Sequence, residues 1–252
     1  MRTPTLALVA LSSVLATSAT TAANLQVAPI GLALTPQQQA EALWLSNSGE
    51  QTLTAQIRVF AWTQHGGVER LEPTDDIVLS PPLAEVTAGG RQMVRVVRTD
   101  PAAPLPSHET AYRLIVDELP LARADGTSGV SFVMRYSIPL FVAGTMPDAT
   151  PALRAQWRQD GATLRLEVRN DGDQRAQLAD LHCAGDVAHL HAGLLGYALA
   201  RSTMRWSLPA TAPAGCTLSA TINGRPQQPL TSADAPTSPV PVTPAMPTSS
   251  PR

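Results

Sequence analysis

One stretch, residues 129–141, constrains the fold of this chain more than any other. Read with a period of two, its apolar side chains fall on one side of the chain, and these are Val130, Phe132, Met134, Tyr136, Ile138 and Leu140. Such alternation is typical of a β-strand with one continuous apolar face. Pro139 has no N–H to donate, which places at least that end of the strand at a sheet edge. A long apolar edge promotes aggregation unless something pairs with it, so the stretch predicts a strand that pairs with another protein.

The rest of the chain predicts an all-β fold. Short alternating segments recur every 8 to 15 residues or so, they are separated by Gly, Pro and Asn, and none has a convincing helical period. This spacing is typical of an antiparallel β-sandwich. The predicted strands before the opening stretch run over residues 25–34, 42–49, 52–62, 76–80, 91–98 and 109–120.

A partial repeat indicates two domains. Residues 166–174 follow the pattern of residues 43–51, in which two alternating apolar residues precede Asn-x-Gly, and the copies lie 123 positions apart. Asn and Gly tolerate the positive φ of a tight turn. We therefore expect a first domain over 24–144, a short linker, and a smaller second sandwich over 150–228.

Both ends of the chain differ from its middle. A positive start at Arg2, an apolar run over 6–16 and small residues at 21–23 predict a cleaved signal peptide over 1–23, with a buried N-terminal helix as the alternative. The apolar run is too short to span a membrane. Residues 229–252 are rich in Pro, Ser and Thr, which predicts a disordered tail. The mature chain is thus predicted to be exported and soluble.

Charge and cysteine usage narrow the classes of partner. The net charge of −2 gives no electrostatic reason to bind nucleic acid or an anionic membrane. All 18 basic residues are Arg, so no arginine is notable for its type alone. In an oxidising compartment Cys183 and Cys216 predict one disulfide. The alternative is a metal site that combines Cys183 with His182, His189 and His191.

The chain lacks the common catalytic motifs. It contains no nucleophile elbow, zinc-peptidase helix, phosphate loop or dinucleotide-binding glycine pattern. The acidic pairs 75–76 and 117–118 are neighbours on predicted strands, so their side chains point to opposite faces and do not share a site. We therefore predict a protein without enzymatic activity, cofactor, bound metal or small-molecule substrate.

Several short motifs occur in a fixed order along the chain. They are Asn47-x-Gly49, the strand with Trp62, Pro81-Pro82, Gly90-x-Gln92-x-Val94-Arg95, Glu109-x-x-Tyr112-Arg113-Leu114, Glu118-Leu119-Pro120 and Arg135-x-x-x-Pro139-Leu140-Phe141. No single motif is specific, but their order and spacing are. Together they resemble a known family, the PapD-like periplasmic pilus chaperones, and most closely its archaic branch, which serves spore-coat-U-type fimbriae. The resemblance covers residues 25–144 well and the second domain loosely.

The resemblance implies two immunoglobulin-like sandwiches in an L- or boomerang-shaped arrangement, located in the periplasm. It also implies donor-strand complementation, in which the chaperone lends a strand to a pilus subunit that lacks one and then delivers the subunit to an outer-membrane usher. The lent side chains would be Val130, Phe132 and Met134, with Tyr136 as a fourth.

The resemblance further implies a basic anchor for the C-terminal carboxylate of the subunit, in the cleft between the domains. Members of the family use a basic residue on the first strand, but residues 32–38 here contain none. We expect Arg113 and Arg135 to replace it, because a guanidinium can bond both carboxylate oxygens. The alternatives are an ion pair of Arg113 with Glu109 or Asp117, and a solvated Arg135.

Two other functions remain open at this stage. A structural or adhesive fimbrial protein could be built from the same sandwiches, although the four Trp and three Tyr do not concentrate into a sugar-binding groove. A periplasmic metal-handling module would instead use the histidines and free thiols.

Overall fold

The structure is a computed structural model that describes residues 24–100, 104, 106–120, 133–146, 148–185 and 189–230. These residues form seventeen β-strands and no helix. Within these ranges, then, nothing helical is available to span a membrane. The strands are β1 (Leu25–Ala28), β2 (Leu32–Leu34), β3 (Ala40–Asn47), β4 (Leu53–His65), β5 (Val68–Pro73), β6 (Ile77–Ser80), β7 (Leu83–Val86), β8 (Arg91–Arg98), β9 (Thr110–Leu119), β10 (Arg135–Val142), β11 (Leu153–Asp160), β12 (Thr163–Asn170), β13 (Ala176–Cys183), β14 (His189–Ala198), β15 (Ser202–Leu208), β16 (Leu218–Ile222) and β17 (Arg225–Pro229).

The first ten strands form a two-sheet sandwich. One sheet has the order β1-β3-β8-β6, and the other has the order β2-β10-β9-β4-β5, with β7 also paired to β4. Alternate side chains of both sheets point inwards, as the period of two in the sequence predicts. They bury one core that includes Leu43, Leu45, Val94, Leu114 and Leu140.

The remaining seven strands form a second sandwich with its own core. Its sheets have the orders β11-β12-β15 and β14-β13-β16-β17. The core includes Leu164, Leu166, Val168, Leu178 and Leu181, all of which are almost fully buried. The predicted all-β fold with two immunoglobulin-like sandwiches is therefore confirmed.

The first predicted strand, residues 25–34, is in fact two strands in different sheets. β1 pairs antiparallel with β3, whereas β2 pairs parallel with the end of β10, opposite Leu140–Val142. The sandwich is thus not wholly antiparallel. Alternation within ten residues cannot show that a chain changes sheets halfway, because side chains of β1 and β2 point into the same core. The strands β5 and β7 were also not predicted.

The two Asn-x-Gly copies occupy equivalent places in the two sandwiches. Asn47 ends β3 and Asn170 ends β12, and both are buried. Each amide donates to the backbone oxygen four residues on, at Gln51 and Gln174, and each side-chain oxygen accepts from the glycine N–H two residues on. The repeat noticed in the sequence therefore reflects a shared local structure.

The expected reason for these glycines, positive φ, is wrong. Neither Gly49 nor Gly172 has a positive φ. What excludes a side chain is close approach, since a Cβ at Gly49 would lie 2.4 Å from the side chain of Asn24, and one at Gly172 would lie 2.4 Å from the Thr150 carbonyl oxygen. Both glycines let the turn pack against the chain that enters its domain.

Two further details change the sequence interpretation. The second domain continues beyond 228, since Pro229 belongs to β17 and Leu230 is buried in the second core, so the predicted tail begins two residues too early. A disulfide joins Cys183 to Cys216, which leaves neither thiol available to the proposed histidine site. No cluster of three or more possible metal ligands is found in the ranges that the structure describes. The predicted signal peptide and residues 231–252 lie outside those ranges.

Candidate functional site

One flank of β10 lacks a partner strand within the described part of the chain. β9 pairs with β10 along its whole length, from Arg135 to Val142. On the other side β2 covers only the last three residues, Leu140 to Val142. The flank from Arg135 to Pro139 is therefore an open edge, to which another chain could add a strand.

The apolar row of this strand divides into two parts. Ile138, Leu140 and Val142 are buried in the core of their own domain. Tyr136 also packs against this core, and its hydroxyl donates a 2.6 Å hydrogen bond to the Leu25 carbonyl. Met134 directly precedes β10, and its N–H donates to the Glu118 carboxylate. Val130 and Phe132 lie outside the described residues.

Arg135 is held on the outer face of the sheet. Its guanidinium donates to Asp117, which also accepts a 2.7 Å hydrogen bond from Arg58 on β4. Desolvation opposes ionisation of Asp117, but the hydrogen bonds and charges of the two arginines outweigh it and lower the pKa of this carboxyl. Because the Arg135 side chain remains 68% exposed, this contact is an ion pair at the surface.

The two sandwiches meet at an aromatic cluster, which we define as Trp62 of β4, Phe141 of β10, and Tyr197 and Leu199 from the end of β14. The Trp62 and Tyr197 rings pack edge to face with centroids 5.4 Å apart, and Phe141 lies 5.6 Å from Tyr197. All four residues are buried. The contact between the domains is thus a small apolar core.

Arg113, on β9, lies beside this cluster. Its guanidinium carbon sits 3.7 Å from the centre of the Trp62 ring and 5.8 Å from that of Tyr197. Burial lowers the pKa of Arg113, and the charge of Glu69 opposes this shift. An arginine nevertheless stays protonated in a protein. Neither carboxylate considered as its partner is engaged with it, since Asp117 pairs with Arg58 and Arg135, and Glu109 pairs with Arg175.

Arg175 is a cleft residue that the sequence did not reveal. It comes from the loop before β13 and stacks on Phe141, with the guanidinium carbon 3.7 Å from the ring centre. Its guanidinium pairs with Glu109, whose carboxylate also accepts a 3.1 Å hydrogen bond from the Arg175 N–H. Desolvation raises the pKa of Glu109, and Arg175 partly offsets this effect. No local pattern marks Arg175, because its partners lie in the other domain.

A cleft of about 760 Å³ lies between the domains. Arg113, Pro139 and Phe141 line it from the first domain, and Arg175 and Tyr197 line it from the second. It therefore contains two guanidinium groups, one paired with Glu109 and one, Arg113, that makes no hydrogen bond or ion pair within the described ranges. Such a group can bind a carboxylate.

The structure does not bring Arg113 and Arg135 together. Arg113 lies opposite Pro139 in the β9–β10 register, while Arg135 lies opposite Asp117. Four residues of strand separate the two positions, which is roughly 13 Å at the usual rise. Arg135 does not line the cleft, whose second arginine is Arg175.

Comparison with known proteins places this geometry in a family. Residues 24–148 match the family described as "Pili and flagellar-assembly chaperone, PapD N-terminal domain". Among curated protein sequences no significant match is found. The chain is similar to a chain in the solved CsuC–CsuE complex of chaperone and tip adhesion subunit, from the archaic chaperone-usher Csu pili of Acinetobacter baumannii. The identity is 30%, with 82% of this chain and 97% of that chain covered, at a TM-score of 0.65.

More distant structures share the fold. The complex of the Salmonella enterica SafA pilin with the SafB chaperone matches at 16% identity and a TM-score of 0.57, and covers 84% of this chain and 95% of that chain. The E. coli chaperone DraB matches at 18% identity and a TM-score of 0.54, with 81% and 94% covered. The sequence match, the identity to the Csu structure and the two-sandwich fold agree, and this chain belongs to the PapD-like family of pilus-assembly chaperones.

Proposed function

We propose that this protein is a periplasmic chaperone that holds fimbrial subunits by donor-strand complementation and passes them to an outer-membrane usher. The observation that carries the proposal is the open flank of β10, over Arg135 to Pro139. The relatives support the choice of partner, since the Csu structure contains a tip adhesion subunit and the SafB structure contains a pilin. The proposal needs neither a cofactor nor catalysis.

The lent residues in this proposal are Val130, Phe132 and Met134, which alternate in the sequence just before β10, the first two lying outside the described residues. Burying a side chain of this size contributes roughly 1.5–3 kcal/mol. Three such residues could therefore hold an incomplete sandwich without an energy-consuming step. We assign Tyr136 to the boundary, because its ring packs on its own core and its hydroxyl bonds to Leu25.

For the carboxylate anchor we propose Arg113. It lines the cleft, its guanidinium plane lies against Trp62, and its N–H groups are uncommitted within the described ranges. A subunit strand added along β10 would run past Pro139, which lies opposite Arg113. Arg175 flanks the same site, while Arg135, the other predicted anchor, pairs with Asp117 on the outer face, so we give it no part in this proposal.

Capture of subunits from the periplasm tests both parts of the proposal. Tagged protein is recovered from cells that produce the fimbria, and the proteins that accompany it are identified and quantified by mass spectrometry. We expect a small exported β-rich subunit at close to one copy per chaperone. Changing Met134 to Asp should abolish the complex, because a carboxylate cannot enter an apolar subunit core without a large cost. Arg113→Met should reduce the yield strongly.

The matched control is Val133→Asp. Val133 is the adjacent residue, it is 49% exposed, and it falls on the opposite side of the strand. A new charge there should leave capture unchanged. Equal losses of captured subunit from the Met134 and Val133 variants would contradict the assignment of the lent residues. Full capture by Arg113→Met would show that Arg113 is not the anchor. A wild-type protein that emerges alone would favour a structural or adhesive role.

A further inference from the structure

We infer that Gln64 is a positioning residue that keeps Arg113 ready for a carboxylate, by locking Tyr197 and Trp62 together across the domain boundary. The inference rests on the proposed role of Arg113 as the anchor. It adds that the anchor depends on both domains, although Arg113 itself belongs only to the first.

Gln64 is a buried polar residue whose side-chain hydrogen bonds all connect the first domain to the second. It lies on β4 and is 5% exposed. Its amide donates a 2.7 Å hydrogen bond to the Tyr197 carbonyl, and its side-chain oxygen accepts bonds from the Leu199 N–H at 3.0 Å and the Ser202 hydroxyl at 2.8 Å. A buried amide that loses such partners leaves its polar groups unsatisfied, which is unfavourable in a buried site. The three bonds therefore specify one placement of the β14–β15 turn.

This placement determines the surroundings of Arg113. Gln64 and Trp62 lie two residues apart on the same face of β4, and Gln64 binds the backbone of the residue whose ring packs against Trp62. Trp62 supports the Arg113 guanidinium from 3.7 Å. Its own ring N–H is buried and has no hydrogen-bond partner within the described ranges, so packing alone orients the ring. Moving Tyr197 would leave Phe141, at 6.0 Å between ring centroids, as the remaining aromatic neighbour of Trp62. The less constrained Trp62 ring would then no longer fix Arg113 in one position.

A second contact ties the domains together nearby, and it does not involve the cluster. The β4–β5 turn lies against β15, where the Arg205 N–H donates to the Gly67 carbonyl at 3.0 Å and the Arg205 guanidinium donates to the Gly66 carbonyl. This contact should keep the domains associated when Gln64 is changed. Loss of the Gln64 bonds is therefore expected to misplace the cluster without separating the domains.

The experiment follows the Nε–Hε signal of Arg113 by ¹H–¹⁵N NMR, with the signal assigned from its disappearance in Arg113→Lys. In the wild type the nearby Trp62 ring should displace this signal from the position of exposed arginines such as Arg154. Gln64→Met should move it most of the way to that position. Ser202→Ala, which removes one bond of the three, should move it part of the way and provides a milder variant if Gln64→Met folds poorly.

The matched control is Gln159→Met. The Gln159 side chain also makes three hydrogen bonds, with the backbone groups of Gly161, Ala210 and Ala212, but all of them lie within the second domain. This variant should leave the Arg113 signal unchanged. An unmoved Arg113 signal in both Gln64→Met and Ser202→Ala would overturn the inference, as would an equal displacement in Gln159→Met.

Titration with acetate, used as the simplest carboxylate, separates this inference from the proposed function. If only a fraction of the molecules holds Arg113 in place, the apparent affinity for acetate falls to that same fraction of its full value. The half-saturating acetate concentration for Gln64→Met should therefore rise by the reciprocal of the fraction that stays in place in the acetate-free spectrum. An acetate affinity that stays at the wild-type value despite a displaced signal would overturn the inference. A wild-type Arg113 signal that does not shift on addition of acetate would instead contradict the proposal that Arg113 binds a carboxylate. The acetate-free spectra would still decide the role of Gln64.

Discussion

The two sandwiches share a buried asparagine but differ in how the strands that follow it are held. Asn47 and Asn170 end equivalent strands and make equivalent turns. In the first domain the last strand keeps one flank open from Arg135 to Pro139. In the second domain a disulfide ties the end of β13 to Cys216, just before β16, and β17 pairs along the other side of β16.

The difference indicates that the two domains have different roles. The open strand can pair with a partner because β9 and the core contacts of Ile138 and Leu140 fix it on one side, while its other flank has no partner strand from Arg135 to Pro139. The second domain also has edge strands, such as β14 and β17, but it differs in contributing Tyr197, Arg175 and the Gln64 contacts to the cleft. We therefore expect changes in the second domain to act on stability and on the cleft, and changes at the open strand to act on partner binding.

The largest effect should come from the shared asparagines. Asn170 donates one N–H to the Gln174 carbonyl, shares the other between the carbonyls of Ala198 and Leu199, and accepts from two N–H groups, whereas Asn47 takes part in three bonds in all. At about 1 kcal/mol per lost bond, Asn170→Ala should cost about 4 kcal/mol and Asn47→Ala about 3 kcal/mol. Urea unfolding, followed by hydrogen exchange in each domain, measures both. Equal costs would show that the two turns are energetically equivalent despite their different partners.

Removal of the disulfide should come next, and it should affect only the second domain. The bridge closes a separation of 33 residues, for which loop-closure entropy gives about 3 to 4 kcal/mol. A Cys183→Ser/Cys216→Ser double variant should lower the unfolding free energy of the second domain by this amount and leave exchange in β3 and β8 unchanged. Wild-type protein treated with a reductant provides the control for the serine side chains. Destabilisation of both domains would show that they unfold as one unit.

The sequence predicts the parts of this molecule that depend on neighbours along the chain. Alternation at residues 91–98 predicts a strand with the correct bounds, and the repeated Asn-x-Gly motif marks equivalent turns in the two domains. These features depend on side-chain period and local hydrogen bonds, which a single sequence carries.

What the sequence missed depends on contacts between distant residues. Leu32–Leu34 joins the second sheet because β10 arrives beside it about a hundred residues later. Arg175 and Gln64 carry no local signature, since their partners lie in the other domain. The sequence indicates Arg113 as a candidate anchor, but not its stacking on Trp62 in place of an ion pair. That stacking depends on Glu109 pairing with Arg175 and on Asp117 pairing with Arg135.

The smallest effect, and the sharpest test of the open strand, is the response of Asp117 to acid. Its pKa is lower in the folded protein than in the unfolded chain, because the bonds from Arg135 and Arg58 outweigh desolvation. The unfolded chain therefore binds the proton first, so this contribution to stability is present above about pH 4 and is lost as the pH falls through the folded pKa. Since both arginines are largely exposed, it should be below about 1 kcal/mol.

The measurement is hydrogen exchange at Tyr136 and Ile138, whose N–H groups face β9, as the pH is lowered, after correction for the intrinsic pH dependence of exchange. In the wild type, acid should raise opening at this end of β10, because protonated Asp117 no longer holds Arg135. Asp117→Asn should already show the raised opening at neutral pH and should show no further acid response. Asp173, whose pKa is lowered by its hydrogen bond from Arg201 in the second domain, provides the comparison, and Asp173→Asn should leave the response of β10 unchanged. If Asp117→Asn keeps the wild-type response, Arg135 does not restrain the open strand, and its position on β10 depends on the β9 ladder alone.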